Sequence, residues 1–415
     1  MLDGTVEASH KGAPCGKLEG DSGSKIFAAG SRGPARLNIR QEWIHKLKLR
    51  SVIEYSHRVV AAVPGLEAKV DLETLKIEFT VKKDATLRGL YGRLFGRGRD
   101  DVHELAASLA LDINGLEEAS RKLARSVLPH LEGYERYAEF IHDIPLIVLA
   151  DSESNALARS EGIVAIKSGL LQRSGYFIDL VMMFLSLSGL PSFRSAREDL
   201  YKRLFVALGI IRDEATFANC RAIVREFVRL KKELMTLRWA VPFDMFTKGL
   251  WIRFHNFVVA HEYGHILLNH FAPKSRFDRR DVAPKISRTM CEELEADLYA
   301  ARAVDRMVRA AMDELSTPQP SGSLAIGWQI AVCFYCWVLG KEDNPIPWIV
   351  HPDDEEMVLS RIGPTGYPDS LGRLSQILTH LFSDELSAPD CRINGPYHDL
   401  LIFHNYIAVH CAEQK

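Results

Sequence analysis

Residues 257–268 read Phe-Val-Val-Ala-His-Glu-Tyr-Gly-His-Ile-Leu-Leu and contain a His-Glu-x-x-His motif within an apolar run. His261 and His265 are four residues apart, so on a helix they share one face and can hold one zinc ion. Glu262 then points to the open side of the metal. The alternative is a helix with two exposed histidines. Helical spacing of apolar residues around the motif argues against that alternative and predicts a metal site in a cleft. The spaced positions are Trp251, Phe254, Val258, His261, His265 and Leu268.

A catalytic zinc ion needs a third protein ligand and one open position. Residues 291–300, Cys-Glu-Glu-Leu-Glu-Ala-Asp-Leu-Tyr-Ala, contain the best candidates. Glu293 and Asp297 are four residues apart and share a helical face, so Glu293 can bind the metal while Asp297 accepts the ring N–H of a bound histidine. Glu292 and Glu295 are rival ligands, disfavoured because they do not pair with Asp297 in this way. Without the upstream motif, the segment would be an ordinary acidic helix.

These residues predict one Zn²⁺ per chain and a hydrolytic mechanism. Zinc lowers the pKa of a bound water and polarises a carbonyl group. Glu262 is the predicted general base, which takes a proton from the water and delivers it to the leaving amine. The expected reaction is hydrolysis of a peptide bond in a protein or peptide substrate.

Composition narrows the class of protein. The chain has 415 residues with a net charge of −2, which gives no electrostatic reason to expect nucleic acid as a partner. Seven scattered cysteines predict a reduced, cytoplasmic protein. Residues 1–35 show no signal peptide. The apolar run 324–340 is short for a membrane span and contains Gln329, so we expect a core helix and no transmembrane span. A membrane-associated hairpin is the alternative for this run.

The chain divides into three predicted segments. Residues 1–35 are a polar lead that we expect to be disordered, 36–144 a mixed α/β domain without a catalytic motif, and 145–415 the metal-binding domain with a helical insertion at 172–247. The predicted fold class is α+β and mostly helical. The spacing of apolar residues predicts strands at 75–81, 146–149 and 163–167. Residues 155–158 are assigned to no element, and a polar turn that ends at Gly162 follows them. The spacing also predicts helices at 42–61, 247–270 and 287–312, and two helices within 100–138 that are broken near Asn114-Gly115.

The metal motifs resemble those of the gluzincin peptidases that include the CAAX prenyl endopeptidase, the heat-shock membrane protease and the Oma-type peptidases. Glu293-x-x-Ala296-Asp297 follows His261-Glu-x-x-His265 as it does in that family. Residues 155–171, Asn-Ala-Leu-Ala-Arg-Ser-Glu-Gly-Ile-Val-Ala-Ile-Lys-Ser-Gly-Leu-Leu, are similar to a family element with Asn-Ala-Phe-Ala, a glycine turn, an apolar strand and Gly-Leu-Leu. The chain differs from the family in its long insertion before the motif helix.

The resemblance implies a zincin-like core with a small sheet, an edge strand and the motif helix. In the family this edge strand pairs with the substrate backbone, a form of β-augmentation. The resemblance therefore implies that Ile163, Val164 and Ala165 bind substrate. Asn155 and His351, which lies in a His-Pro pair similar to that of the family, are implied to contact the substrate or the oxyanion.

Two alternatives to a metalloendopeptidase stay open. A regulatory or scaffold protein could retain a metallopeptidase fold without catalysis, and a zinc hydrolase could act on a bond other than a peptide. The implied edge strand favours a peptide, because such strands bind extended backbones. Neither the substrate nor the oligomeric state follows from the sequence.

Overall fold

A computed structural model describes residues 34–62, 65–82, 106–107, 109–153, 155–172, 178, 240–271 and 288–314. These residues form a mixed α+β structure that is mostly helical. The helices are α1 (Pro34–Ala62), α2 (Ile113–Val127), α3 (Tyr134–Ile141), α4 (Ala240–Leu267) and α5 (Arg288–Glu314), with a 3₁₀ turn at Leu128–His130. The strands are β1 (Leu66–Asp71), β2 (Lys76–Val81), β3 (Leu111–Asp112), β4 (Leu146–Leu149), β5 (Ala156–Arg159) and β6 (Ile163–Lys167).

The strands form two small sheets. The first is antiparallel, in the order β1-β2-β3. The second has the order β4-β6-β5, with β4 parallel and β5 antiparallel to β6. Helix α1 packs on one face of the second sheet, where Ile44 and Leu47 meet Ile147 and Ile163. Helices α2 and α4 also pack against this sheet, and the Tyr263 hydroxyl of α4 donates a hydrogen bond to the Ile144 carbonyl, 3.2 Å away.

One hydrophobic core joins segments on both sides of the expected division at residue 145. Val52 and Tyr55 of α1 and Ile77 of β2 belong to the same buried cluster as Val148 and Ala150. The two predicted segments, 36–144 and 145–415, therefore share a core in the part of the chain that the structure describes. Burial of these apolar side chains is the main force that holds α1 and the two sheets together.

The implied edge strand is in fact a central strand, which corrects the prediction for Ile163, Val164 and Ala165. Strand β6 is paired along both edges, with β4 on one side and β5 on the other. All three side chains are completely buried. Their backbone groups already belong to the ladders and their side chains to the core, so these residues cannot bind a substrate strand.

The two edges of this sheet differ. On the β4 side, side chains from α2 form hydrogen bonds with backbone groups of β4. The Val148 N–H donates to Glu117 over 3.1 Å, and the Leu146 carbonyl accepts from Arg121 over 3.0 Å. On the other side, β5 pairs with β6, and no strand among the described residues pairs with the outer edge of β5. The edge available for a further strand is therefore that of β5.

Several predicted elements are confirmed and others change. The strand at 146–149 matches β4, and the strand at 163–167 matches β6. The predicted break near Asn114-Gly115 lies slightly earlier in the chain, at residues 110–112, between the helical residues 106, 107 and 109 and helix α2. Asn114 and Gly115 lie in the first turn of α2, where the Asp112 carboxylate accepts the Gly115 N–H over 2.9 Å. Strand β5 covers residues for which the sequence predicted no strand.

Some predictions fall on residues outside the described part. These are the lead at 1–35, most of the insertion at 172–247, and the apolar run at 324–340. Among the described residues, no helix is sufficiently long and apolar to cross a membrane.

Candidate metal centre

Close packing of α4 on α5 brings the two metal motifs together. Gly264, inside the histidine motif, faces Ala296 and Tyr299 of α5. A Cβ atom at Gly264 would lie 3.3 Å from the Tyr299 ring and 3.5 Å from the Ala296 Cα. Small residues at the contact let the helix axes approach closely. The approach puts Glu293 on α5 opposite His261 and His265 on α4.

His261, His265 and Glu293 form a group that could hold a metal ion. The two histidine Nε2 atoms are 3.1 Å apart. Glu293 places one carboxylate oxygen 3.5 Å from His261 Nε2 and the other 3.5 Å from His265 Nε2. A tetrahedral zinc ion with Zn–N bonds of about 2.0–2.1 Å holds its donor atoms about 3.3 Å apart. The observed separations lie on both sides of this value, so the residues fit the ion.

The burial of the group is uneven. The His261 side chain is completely buried, whereas the side chains of His265 and Glu293 are 13% and 14% exposed to solvent. The group is therefore reached from the side of His265 and Glu293.

Asp297 stabilises His261 from the far side of its ring. The carboxylate oxygen lies 3.0 Å from His261 Nδ1, and both side chains are completely buried. Burial lowers the pKa of His261, but the neighbouring Asp297 and Glu293 carboxylates together outweigh it and raise the pKa to about 9. The same carboxylate favours the Nδ1–H tautomer, which leaves Nε2 to bind a metal.

The packing of α4 on α5 also fixes the positions of Glu262 and of the two rival ligands, Glu292 and Glu295. Glu262 follows His261 on α4 and is 3% exposed. Glu295 does not join the metal group. Its carboxylate lies 3.2 Å from His270 Nε2 instead. Glu292 is partly exposed on α5 and also lies outside the group.

His270 is a residue of this site that sequence reasoning missed. Its Nδ1 lies 2.8 Å from His265 Nδ1, and its side chain is 4% exposed. Five-residue spacing is not helical, so periodicity does not connect the two histidines. The usable signal was Asn269, a residue type that often ends helices in a left-handed conformation.

The remaining predicted residues are not part of this group. Asn155 immediately precedes β5, its backbone carbonyl accepts the Lys167 N–H, and its side-chain Oδ1 is buried without a hydrogen-bond partner among the described residues. Ile163, Val164 and Ala165 lie within the central strand. His351 is outside the described part of the chain, so its predicted role stays a prediction.

No protein-family model, curated protein or solved structure matches the chain. The gluzincin resemblance therefore rests on the sequence motifs, and the metal group rests on the geometry of α4 and α5.

Proposed function

We propose that this chain is a zinc-dependent metalloendopeptidase of the gluzincin type that acts on a protein substrate. The observation that carries the proposal is the triangle of donor atoms from His261, His265 and Glu293, with separations of 3.1–3.5 Å. Two neutral imidazoles and a carboxylate form a ligand set of catalytic zinc sites, which leave one position open.

When bound at this group, zinc acts as a Lewis acid toward water and the scissile carbonyl. The ion would be held by the Nε2 atoms of His261 and His265 and by the Glu293 carboxylate, while Asp297 keeps His261 in the required tautomer. Glu262, the next residue after His261, takes the proton of the attacking water and returns it to the leaving amine. General base catalysis of this kind contributes about 10²–10⁴-fold to the rate.

The outer edge of β5 is the best place for a substrate strand. The Lys167 N–H donates to the Asn155 carbonyl, so Asn155 and Lys167 form a hydrogen-bonded pair. Hydrogen-bonded pairs alternate along antiparallel strands, so the N–H and C=O groups of Ala156 and Ala158 point away from β6. Strand β5 also packs against the motif helix α4. An extended peptide paired with Ala156 and Ala158 would therefore lie along the side of α4.

The experiment compares the wild-type protein with Glu262→Gln. Elemental analysis should find one zinc per chain in both proteins, because Glu262 is not a ligand. Labelling of new N-termini in a protein extract should reveal cleavage by the wild type that Glu262→Gln lacks. Glu118→Gln, which changes an exposed glutamate on α2, is the matched control and should cleave as the wild type does.

The other outcomes separate the alternatives. Stoichiometric zinc without any new N-termini would favour a non-catalytic protein with a metallopeptidase fold, or a hydrolase of a different bond. Unchanged proteolysis by Glu262→Gln would end the proposed mechanism. A wild-type protein that neither contains nor takes up zinc would end the proposal as a whole.

A further inference from the structure

The end of the motif helix folds back onto the metal group. Asn269 has a φ of 60°, the left-handed conformation typical of helix C-termini. The Asn269 N–H donates to the Ile266 carbonyl over 3.1 Å, and the His270 N–H donates to the His265 carbonyl over 3.0 Å. These two bonds define a Schellman motif, in which the residue after the left-handed one contacts the last turn of the helix. The motif therefore places His270 against His265.

The side chains of these two residues begin a chain of close polar contacts. His265 Nδ1 lies 2.8 Å from His270 Nδ1, and His270 Nε2 lies 3.2 Å from the Glu295 carboxylate. In Schellman motifs a hydrophobic contact commonly occupies this position. Here two imidazole rings occupy it, and the His270 side chain is 4% exposed.

When His265 binds a metal, only one arrangement of protons makes both contacts, His265–His270 and His270–Glu295, hydrogen bonds. A metal-bound Nε2 leaves Nδ1 as a donor, so His265 must donate its Nδ1–H to His270 Nδ1. His270 Nδ1 then accepts, and a neutral imidazole that accepts at one nitrogen donates at the other. His270 Nε2–H therefore donates to Glu295, a carboxylate that can only accept when ionised.

His270 does not bind the metal in this geometry. It contacts the Nδ1 side of the His265 ring, whereas His261 and Glu293 approach the Nε2 side. The two nitrogens lie on opposite sides of an imidazole ring, so an ion at Nε2 is out of reach of His270.

We infer that His270 and Glu295 are positioning residues for the metal ligand His265, acting through its Nδ1–H. Each histidine of the metal group is thus oriented by a carboxylate, one directly and one through a second histidine. Asp297 contacts His261 directly, and Glu295 reaches His265 through His270. This inference rests on the proposed zinc site. It means that the turn at the end of α4, which places His270 against His265, contributes to metal affinity.

The test measures zinc affinity by competition with a chelator, using the full-length protein. His270→Leu removes the acceptor for His265 and should weaken zinc binding about 10–100-fold. His270→Asn places an amide oxygen near the position of Nδ1 and should restore most of that loss. Glu295→Ala should weaken binding, and Glu295→Gln, which still accepts from His270, should do so less. His142→Asn, at an exposed histidine, is the control and should have no effect.

A second readout separates positioning from folding. In zinc-loaded protein with ¹⁵N-labelled histidine, NMR should show His265 protonated at Nδ1 and His270 at Nε2. Equal zinc affinity of wild type, His270→Leu and Glu295→Ala would overturn the inference while leaving the zinc site intact, as would equal losses in His270→Leu and His270→Asn. A wild-type protein that binds no zinc would overturn both this inference and the proposed function. If His270→Leu fails to fold, the Glu295 pair and the NMR tautomers decide the question.

Discussion

The Nδ1 atom of His261 lies 3.0 Å from the carboxylate of Asp297, and neither side chain is exposed to solvent. The pair joins α4 to α5 at the point where the two motifs meet. A buried carboxylate beside the ring nitrogen opposite Nε2 holds the imidazole in the orientation and tautomer that a metal requires. Five predictions follow from this arrangement and from the fold around it.

Asp297→Asn should lower zinc affinity about tenfold or more, because an amide is a weaker acceptor for the His261 N–H than a carboxylate. Chelator competition measures the change. Asp305→Asn is the matched control on the same helix, since Asp305 pairs with Arg309 and not with a metal ligand. Equal affinities of the two variants would contradict the role of Asp297.

The metal-free protein should lose stability at alkaline pH. The pKa of His261 is raised from 6.5 to about 9 in the folded state. A raised pKa contributes stability that is complete below about pH 6.5 and is lost as the pH rises through about 9. Urea unfolding in the presence of a chelator, from pH 6 to pH 10, measures this loss. The slope should be smaller in Asp297→Asn, which removes one cause of the shift.

The same protein should also lose stability in acid, for a different reason. His255 is buried, and burial lowers its pKa from 6.5 to about 4. The unfolded chain binds a proton at this position below about pH 6.5, whereas the folded chain does so only near pH 4. Stability should therefore fall as the pH decreases from 6.5 to 4. His255→Leu should unfold in urea with less dependence on pH in this range, and an unchanged pH dependence would exclude His255 as the cause.

Gly264→Leu should separate α4 from α5. A Cβ at this position is already 3.3 Å from the Tyr299 ring, so a larger side chain must displace α5. Overpacking of this kind costs about 1–3 kcal/mol and should also weaken zinc binding, because Glu293 moves with the helix. Gly264→Ala should keep the metal. Gly249→Leu lies in the same helix, and among the described residues a Cβ there would meet the end of the Arg253 side chain. This control should leave zinc affinity unchanged.

Ala158→Pro tests the substrate strand. Proline removes the Ala158 N–H, which points away from β6, and is tolerated on edge strands. Loss of one backbone hydrogen bond to the substrate, worth about 0.5–1.5 kcal/mol, should lower kcat/KM about 3–10-fold without changing zinc affinity. Leu157→Pro breaks the bond to β6 and should reduce stability instead. Unaltered kcat/KM in Ala158→Pro would place the substrate elsewhere.

Much of the metal group could be predicted from local spacing. His261 and His265 share a helical face whatever surrounds the helix, and so do Glu293 and Asp297. Only packing could decide which carboxylate meets the histidines. Gly264 and Ala296 allow the approach that brings Glu293 to them, while Glu295 turns to His270.

The order of the strands in the second sheet could not be predicted from the local sequence pattern. Residues 156–159, Ala-Leu-Ala-Arg, have little intrinsic preference for a strand, so the sequence does not predict a strand there. Pairing with β6 makes them a strand and gives β6 two neighbours. This moves the available edge from Ile163–Lys167 to β5, because a backbone group already in a ladder cannot bond to a substrate.

The order of the amino acids is sufficient to show that two histidines and an adjacent glutamate share one helix, and that a second helix carries acidic residues at the same spacing. Short-range helical geometry is enough for both. Three features required the folded structure: the distances between the helices, the central place of β6, and the contact of His270 with His265. These depend on packing between distant segments and on a left-handed turn at Asn269, for which the hydrophobic pattern along the chain has no signal.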